Sequence, residues 1–237
     1  HEMNQKSFGR YPNIMTVGEM SSTTIENGIA YSDPEKEELS MVFSFHHLKV
    51  DYLNGEKWSK TPFDFMELKE LLNDWQEGMS KGNGWNALFL NNHDQPRAIS
   101  RFGDPVNHFE ASAKLLAQTI HLMRGTPYVF QGEEIGMTDP EFQDITDYVD
   151  VETHNAYKEL QAKDLPHEEI MEIIKGKSRD NSRTPMQWTN EKNAGFTTGQ
   201  PWIKLTENYH QINVEKERAE GTIFDFYRKL IQLRKDL

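Results

Sequence analysis

Residues 86–97 read NALFLNNHDQPR, and the junction inside this run decides the fold. Four apolar residues, Ala87 to Leu90, fit a short buried strand, and a dense polar cluster begins directly behind them. Polar side chains that follow a fully apolar strand need partners, and an Asn-Asn-His-Asp set suits the gripping of a polyhydroxylated ligand. The same junction recurs along the chain. NIMTVGEM (13–20) is a short apolar run that ends in Gly18 and Glu19. MVFSFHH (41–47) is aromatic and β-branched, follows the acidic stretch SDPEKEEL (32–39), and closes on His46 and His47. TPYVFQGEEIGM (126–137) turns polar at Gln131 to Glu134.

Helical periodicity fills the intervals. PFDFMELKELLNDWQEGM (62–79) places Phe65, Leu68, Leu71, Leu72 and Trp75 at the three-and-four spacing of one buried face. NHFEASAKLLAQTIHLMRG (107–125) does so with Leu115, Leu116, Thr119, Ile120 and Met123, and Gly125 reads as its C-cap. TIFDFYRKLIQLRKDL (222–237) repeats the rhythm with Phe224, Tyr227, Leu230, Ile231 and Arg234, its basic residues toward the C-terminal end. Strands alternating with helices predict parallel βαβ units, because a parallel neighbour requires a long crossover. Open doubly wound sheets and (β/α)8 barrels both satisfy this pattern. No glycine-rich phosphate loop follows any strand; the strand ends carry carboxylates and imidazoles instead, where barrel enzymes place their active sites.

The segment from Thr138 to Gly221 is too long for a simple connection and predicts a lid or subdomain, with helices around 151–163 and 166–176 and a loop-rich stretch over 178–202. The expected domain plan is therefore 1–137, strands with their helices; 138–221, an inserted subdomain; and 222–237, a final helix.

Composition narrows the chemistry. The 237 residues hold no cysteine, which removes disulfide scaffolds, Cys-ligated metals and thiol nucleophiles, and fits a reducing cytoplasm. With 26 basic and 38 acidic residues the net charge is -12, which argues against nucleic acid and anionic membrane as partners and for a small soluble ligand. Mean hydropathy is -0.78, and no apolar run is long enough to span a bilayer.

Glu19 at the open end of a buried strand is expected to be partly desolvated, which favours its protonated form and suits a proton donor. A solvated strand-end Glu is the plain alternative. Two carboxylates on strand ends of one face, Glu19 and Asp94, point to glycoside hydrolysis. Metal-assisted hydrolysis is the competing use, but no H-x-H or H-E-x-x-H occurs, and neighbouring His46 and His47 on a strand would face opposite ways.

MTVGEM, FLNNHDQPR, YVFQGEEIGM and SRDNSRTPMQW (178–188) together resemble successive strand-end motifs of the α-amylase family of glycoside hydrolases, in its trehalose-6-phosphate hydrolase and oligo-1,6-glucosidase branch. The resemblance covers essentially the whole chain, and FSFHHLKVDYLNGEKW (43–58) favours the phosphate-sugar side of that branch. It implies an α/β fold, the C-terminal half (strands 5 to 8) of a (β/α)8 TIM barrel with a long insertion after strand 8. It further implies Glu19 as general acid/base, Asp94 as the carboxylate that stabilises the transition state, and His93 as a substrate-binding histidine. Arg183 then belongs to the subdomain that shapes the subsites, with a salt bridge to an acidic residue as its plain role. His47 and Lys49, just past strand 6, are the expected contacts of a sugar 6-phosphate, against the plain alternative of a solvated lysine. Glu133 and Glu134 follow strand 8.

The family's nucleophile, an Asp inside a pattern like F-R-x-D-V-I, is not in this sequence; Asp150 in YVDVETH (148–154) imitates it but has no Arg two residues before. The expected parent is a retaining α-glycosidase that cleaves trehalose 6-phosphate to glucose and glucose 6-phosphate with no organic cofactor and no metal. This chain, beginning at His1 and holding four of eight barrel strands, is expected to be a fragment that is inactive alone. The alternatives are an oligo-1,6-glucosidase or related α-glucosidase, and a non-catalytic carbohydrate-binding half-barrel. Such a half-barrel would expose strand edges and apolar positions such as Val17, Phe43 and Leu88, and would self-associate.

Overall fold

A computed structural model describes residues 1–237. Four strands, β1 (Val17–Met20), β2 (Met41–Ser44), β3 (Asn86–Leu88) and β4 (Thr126–Pro127), form one sheet in the order of the sequence, and every pairing is parallel. Val17 stands opposite Met41, Phe43 opposite Ala87 and Leu88 opposite Pro127. The α/β class with a parallel sheet is thus the observed one. The strands are shorter than the apolar runs that announce them: Ile14 and Met15 precede β1 and are exposed, and β3 stops at Leu88.

The chain forms two compact units. One comprises residues 1–55, 61–89 and 120–128; the other comprises 56–60, 90–119 and 129–237. The first unit holds the whole sheet with helices α1 (Glu2–Lys6), α2 (Ile25–Ser32) and α3 (Phe65–Lys81). Side chains alternate across a strand, so neighbours in β2 serve opposite faces. Val42 packs with Trp75 and Met79 of α3, joined by Ile25 and Ile29 of α2. Phe43 turns the other way, edge-on to Phe89 and Tyr128 at 4.9 and 4.7 Å between ring centroids. Asp64 caps α3 by accepting from Met66 N and Glu67 N at 2.8 and 3.2 Å. The buried seam of α3 is Leu68, Trp75 and Met79, flanked by half-buried Leu71 and Leu72, while Phe65 in the first turn is exposed.

The second unit contains α4 (Ala98–Phe102), most of α5 (Phe109–His121), α6 (Val151–Ala162), α7 (His167–Lys177), α8 (Asp180–Arg183), α9 (Val214–Glu220) and α10 (Ile223–Asp236). Its core along α5 and α10 is Ile99, Ala113, Ala117, Ile223, Tyr227 and Leu230. Ala113 and Ala117 form the buried contact face of α5, with half-buried Leu116 packed against it and Leu115 exposed; on α10 Ile223 lies in the seam and Ile231 outside it. A separate core joins Phe142, Tyr148, Leu160, Ile170, Ile174 and Ile203 within the long segment after β4.

Two local readings change. Gly125 does not cap α5, which ends at His121. It has φ 146 at the entrance to β4, where a Cβ would lie 2.5 Å from the Asn86 carbonyl oxygen. His46 and His47 are not on β2: the strand ends at Ser44, and His46–Leu48 form a 3-10 turn, so alternation across a strand does not govern them. Of the apolar positions expected to be open, Val17 is exposed and Phe43 half-buried, but Leu88 is buried. No helix is long and apolar enough to cross a membrane.

Candidate active site

In the first unit, Glu19 is the third residue of β1, opposite Phe43, and its side chain is exposed, so the desolvation expected of it is not observed. Gly18 beside it accommodates Leu39, whose Cδ1 would meet a Cβ at 2.7 Å. Past β2, Lys49 is half-buried, and its Nζ donates to the Ser21 carbonyl at 2.8 Å, which ties this loop to the end of β1. An ammonium carries three donors, and this bond uses one. His47 is buried, with Nε2 at 2.8 Å from the Phe89 carbonyl and its ring edge-on to the Phe89 ring.

In the second unit, the loop behind β3 is held at almost every residue. Asn92 Oδ1 accepts from Asp94 N at 2.8 Å. Arg183 Nε donates to the His93 carbonyl at 2.7 Å and its Nη2 to Asp94 Oδ1 at 2.6 Å. Arg179 Nη1 lies 3.6 Å from the same oxygen, and His93 Nε2 lies 3.6 Å from Asp94 Oδ2. His93 is exposed and Asp94 half-buried. Charge-assisted, forked guanidinium bonds fix direction as well as energy, so Asp94 is an oriented carboxylate rather than a mobile one.

The same two arginines continue into α6. Arg179 Nη2 lies 2.7 Å from Asp150 Oδ1, its Nε lies 2.9 Å from Glu152, and Arg183 Nη1 reaches Asp150 at 3.5 Å. Asp150 caps α6 through Thr153 N. Burial would raise its carboxyl, but the bonds from Arg179 and Thr153 outweigh it and hold the group below the usual carboxylate range. Asp150 is thus an ion-pair and capping residue. Sequence reading passed over Arg179, although its signal was present: two arginines four apart in SRDNSR, flanking an Asp.

Deeper in this unit, Glu133 is buried, and desolvation pushes its carboxyl up to about 8. Asn91 Nδ2 donates to its Oε2, and Tyr227 Oη lies 3.3 Å from its Oε1. Arg97 is also buried; its guanidinium donates to the Gln131 and Ser182 carbonyls, and its backbone N–H bonds Asp139 at 2.6 Å. The structure therefore brings His93, Asp94 and Arg183 together in one unit, and places Glu19, His47 and Lys49 on the strand-end segments of the other. No cluster of three or more His, Asp or Glu arranged to hold a metal is present.

A parallel sheet whose motif residues stand on or just beyond the C-terminal ends of its strands is the arrangement in which α/β enzymes place carboxylate chemistry. The chain belongs to the α-amylase family, whose catalytic domain matches residues 1–237. It is 57% identical over 236 residues to the trehalose-6-phosphate hydrolase of Bacillus subtilis (strain 168), covering 99% of this chain and 42% of that protein. It is 50% identical over 236 residues to the oligo-1,6-glucosidase of Parageobacillus thermoglucosidasius, with the same 99% and 42% coverage. Its structure superposes on the crystal structure of Bacillus licheniformis trehalose-6-phosphate hydrolase with a TM-score of 0.96 and 56% identity, over all of this chain and 42% of that one. A mutant isomaltulose synthase from Erwinia rhapontici NX5, solved with its natural substrate sucrose, gives a TM-score of 0.92 at 35% identity, over 100% of this chain and 42% of that one. The chain thus spans 42% of the length of each of these relatives.

Proposed function

We propose that this chain supplies strands five to eight of a (β/α)8 barrel in a retaining α-glycosidase that hydrolyses trehalose 6-phosphate. Residues 1–137 carry those strands and their helices, 138–221 a subdomain inserted after strand eight, and 222–237 the last barrel helix. The observation that carries the reading is the position of Glu19, Lys49 and Asp94, each on or just beyond the C-terminal end of its own parallel strand. In this mechanism an Asp that the sequence does not contain attacks C1, and Glu19 protonates the departing oxygen. Water then cleaves the glycosyl-enzyme with Glu19 as base. Asp94 and His93 hold ring hydroxyls as positive charge develops at C1. No organic cofactor enters, and the setting is cytoplasmic. The partner is a small α-glucoside or its phosphate, and the edge strands β1 and β4 support self-association.

The substrate test compares trehalose 6-phosphate with isomaltose in a longer chain that holds both this sequence and the nucleophile motif. Preference for isomaltose would make the enzyme an oligo-1,6-glucosidase; hydrolysis of neither, with sugar binding retained, would leave the binding half-barrel. Lys49 and His47 form the expected phosphate pole. Lys49→Ala is expected to raise KM for trehalose 6-phosphate about tenfold, the worth of one charge-assisted bond, with the neutral disaccharide unaffected. An unchanged KM removes Lys49 from the phosphate site.

Arg183 acts through Asp94 and the His93 carbonyl. Arg183→Ala is expected to lower kcat by about 10-fold to 100-fold, the effect of misplacing a catalytic group by a fraction of an ångström to an ångström. Lysine cannot reproduce three contacts from a planar fork, so Arg183→Lys is expected to recover little of the loss. Steady-state kinetics on both variants checks this.

A further inference from the structure

We propose that Glu133 is a positioning residue for the loop that carries His93 and Asp94, and that it acts through the side chain of Asn91. Asn91 is buried and immediately precedes that loop. Its Oδ1 accepts from the Ala98 backbone N–H at 2.6 Å, and Ala98 is the first residue of α4, directly behind the loop. One side chain therefore ties the two ends of the 91–98 loop together. Its remaining amide group, Nδ2, donates to Glu133 Oε2, which fixes the tie to the segment after β4. Tyr227 of α10 meets the other carboxyl oxygen.

Glu133 cannot serve as a sugar contact here. The cavity beside it, lined by Asn91, Ala98, Glu133 and Tyr227 among others, measures about 20 Å³, room for roughly one water molecule. The groups that face the carboxyl are Asn91, Tyr227, the neighbouring carboxylate of Glu134 and the buried guanidinium of Arg97. Desolvation and Glu134 oppose a charge there, and burial carries the group up to about 8. Asn91 Nδ2 donates to Glu133 Oε2 and the Tyr227 hydroxyl donates to Oε1, so both carboxyl oxygens act as acceptors. Glutamine keeps an acceptor oxygen for Asn91 and leucine keeps none.

The inference rests on the reading of Asp94 as the carboxylate that faces the transition state, and the test separates the two. In the longer catalytic chain, Glu133→Leu and Asn91→Ala are each expected to lower kcat at least about 10-fold with KM within about 3-fold, since a displaced transition-state group costs rate more than ground-state binding. Hydrogen exchange across residues 91–98 should speed up in both, most at the Ala98 amide. Glu133→Gln is expected to keep at least about a third of kcat and to keep the protection, because its amide oxygen still accepts from Asn91 Nδ2.

A further readout concerns stability. The folded chain holds this proton to about pH 8 and the unfolded chain releases it near 4.5, so melting temperature should fall as pH rises through that window, and Glu133→Gln should flatten the slope. Normal exchange and normal kcat in Glu133→Leu overturn the proposal. So does a kcat loss without faster exchange at 91–98, which marks a diffuse structural effect. If Glu133→Leu does not fold, Asn91→Ala and Glu133→Gln decide by the same measures. If the parent chain hydrolyses no α-glucoside, the function assigned above fails, while exchange and the melting slope still decide the tie.

Discussion

The polypeptide 1–237 alone is expected to release no measurable nitrophenol from a nitrophenyl α-glucoside, whereas a longer chain containing the F-R-x-D-V-I-type motif releases it readily. The reason is chemical. A retaining mechanism splits one displacement into two, and the first requires a carboxylate that forms a bond to C1. In the proposed roles Glu19 donates the proton and Asp94 stabilises charge, so neither supplies that bond, and Asp150 is committed to Arg179, Arg183 and the cap of α6. Catalytic groups that act as a unit lose nearly the whole acceleration when one is missing, on the order of 10⁶-fold where this has been dissected. The assay must exclude contaminating glucosidase, for which the same purification from cells that do not express the polypeptide is the control. Authentic turnover by the short polypeptide would mean that one of its own carboxylates is the nucleophile.

How much of this was legible in the sequence follows from which interactions are local. The strand-to-polar junctions at Glu19, His47 and Asp94 were readable because a short apolar run followed by charge leaves few other structures. Helix seams were read less well. Periodicity weighs Leu115 by its size, but packing selected Ala113 and Ala117, where small residues allow close approach, and on α10 it selected Ile223 over the equally large Ile231. The turn at His46–Leu48 was hidden because aromatic residues favour strand locally, and only the pairing of Ser44 with Met20 of β1 fixes where the strand stops. The ion pairs of Asp94 with Arg183 span 89 positions, and the bond from Asn91 to Glu133 spans 42; no local pattern announces either. In sequence Glu133 is one of two adjacent acids after β4, and only burial distinguishes it from Glu134.

Glu19→Gln in the longer chain is expected to lower kcat for trehalose 6-phosphate by about 10³-fold to 10⁴-fold, toward the upper end of what general acid–base catalysis supplies. Glutamine matches the shape of glutamate and can still hydrogen-bond, so the loss isolates proton transfer from packing. Glu19 is exposed on β1, and the fold should tolerate the change: folded-state melting is expected within a degree or two of the parent, as for surface substitutions generally. The leaving group then discriminates between roles. A departing sugar alkoxide needs the proton that Glu19 delivers, while nitrophenolate departs without it. The first step on a nitrophenyl substrate should therefore survive Glu19→Gln far better than the first step on the disaccharide. The second step still lacks its base, so glycosyl-enzyme should accumulate after a burst of nitrophenol, and azide, a nucleophile that needs no deprotonation, should restore turnover as the glycosyl azide. A uniform loss on both substrates, with neither burst nor azide rescue, would make Glu19 a structural or binding residue and move the acid/base role to another carboxylate.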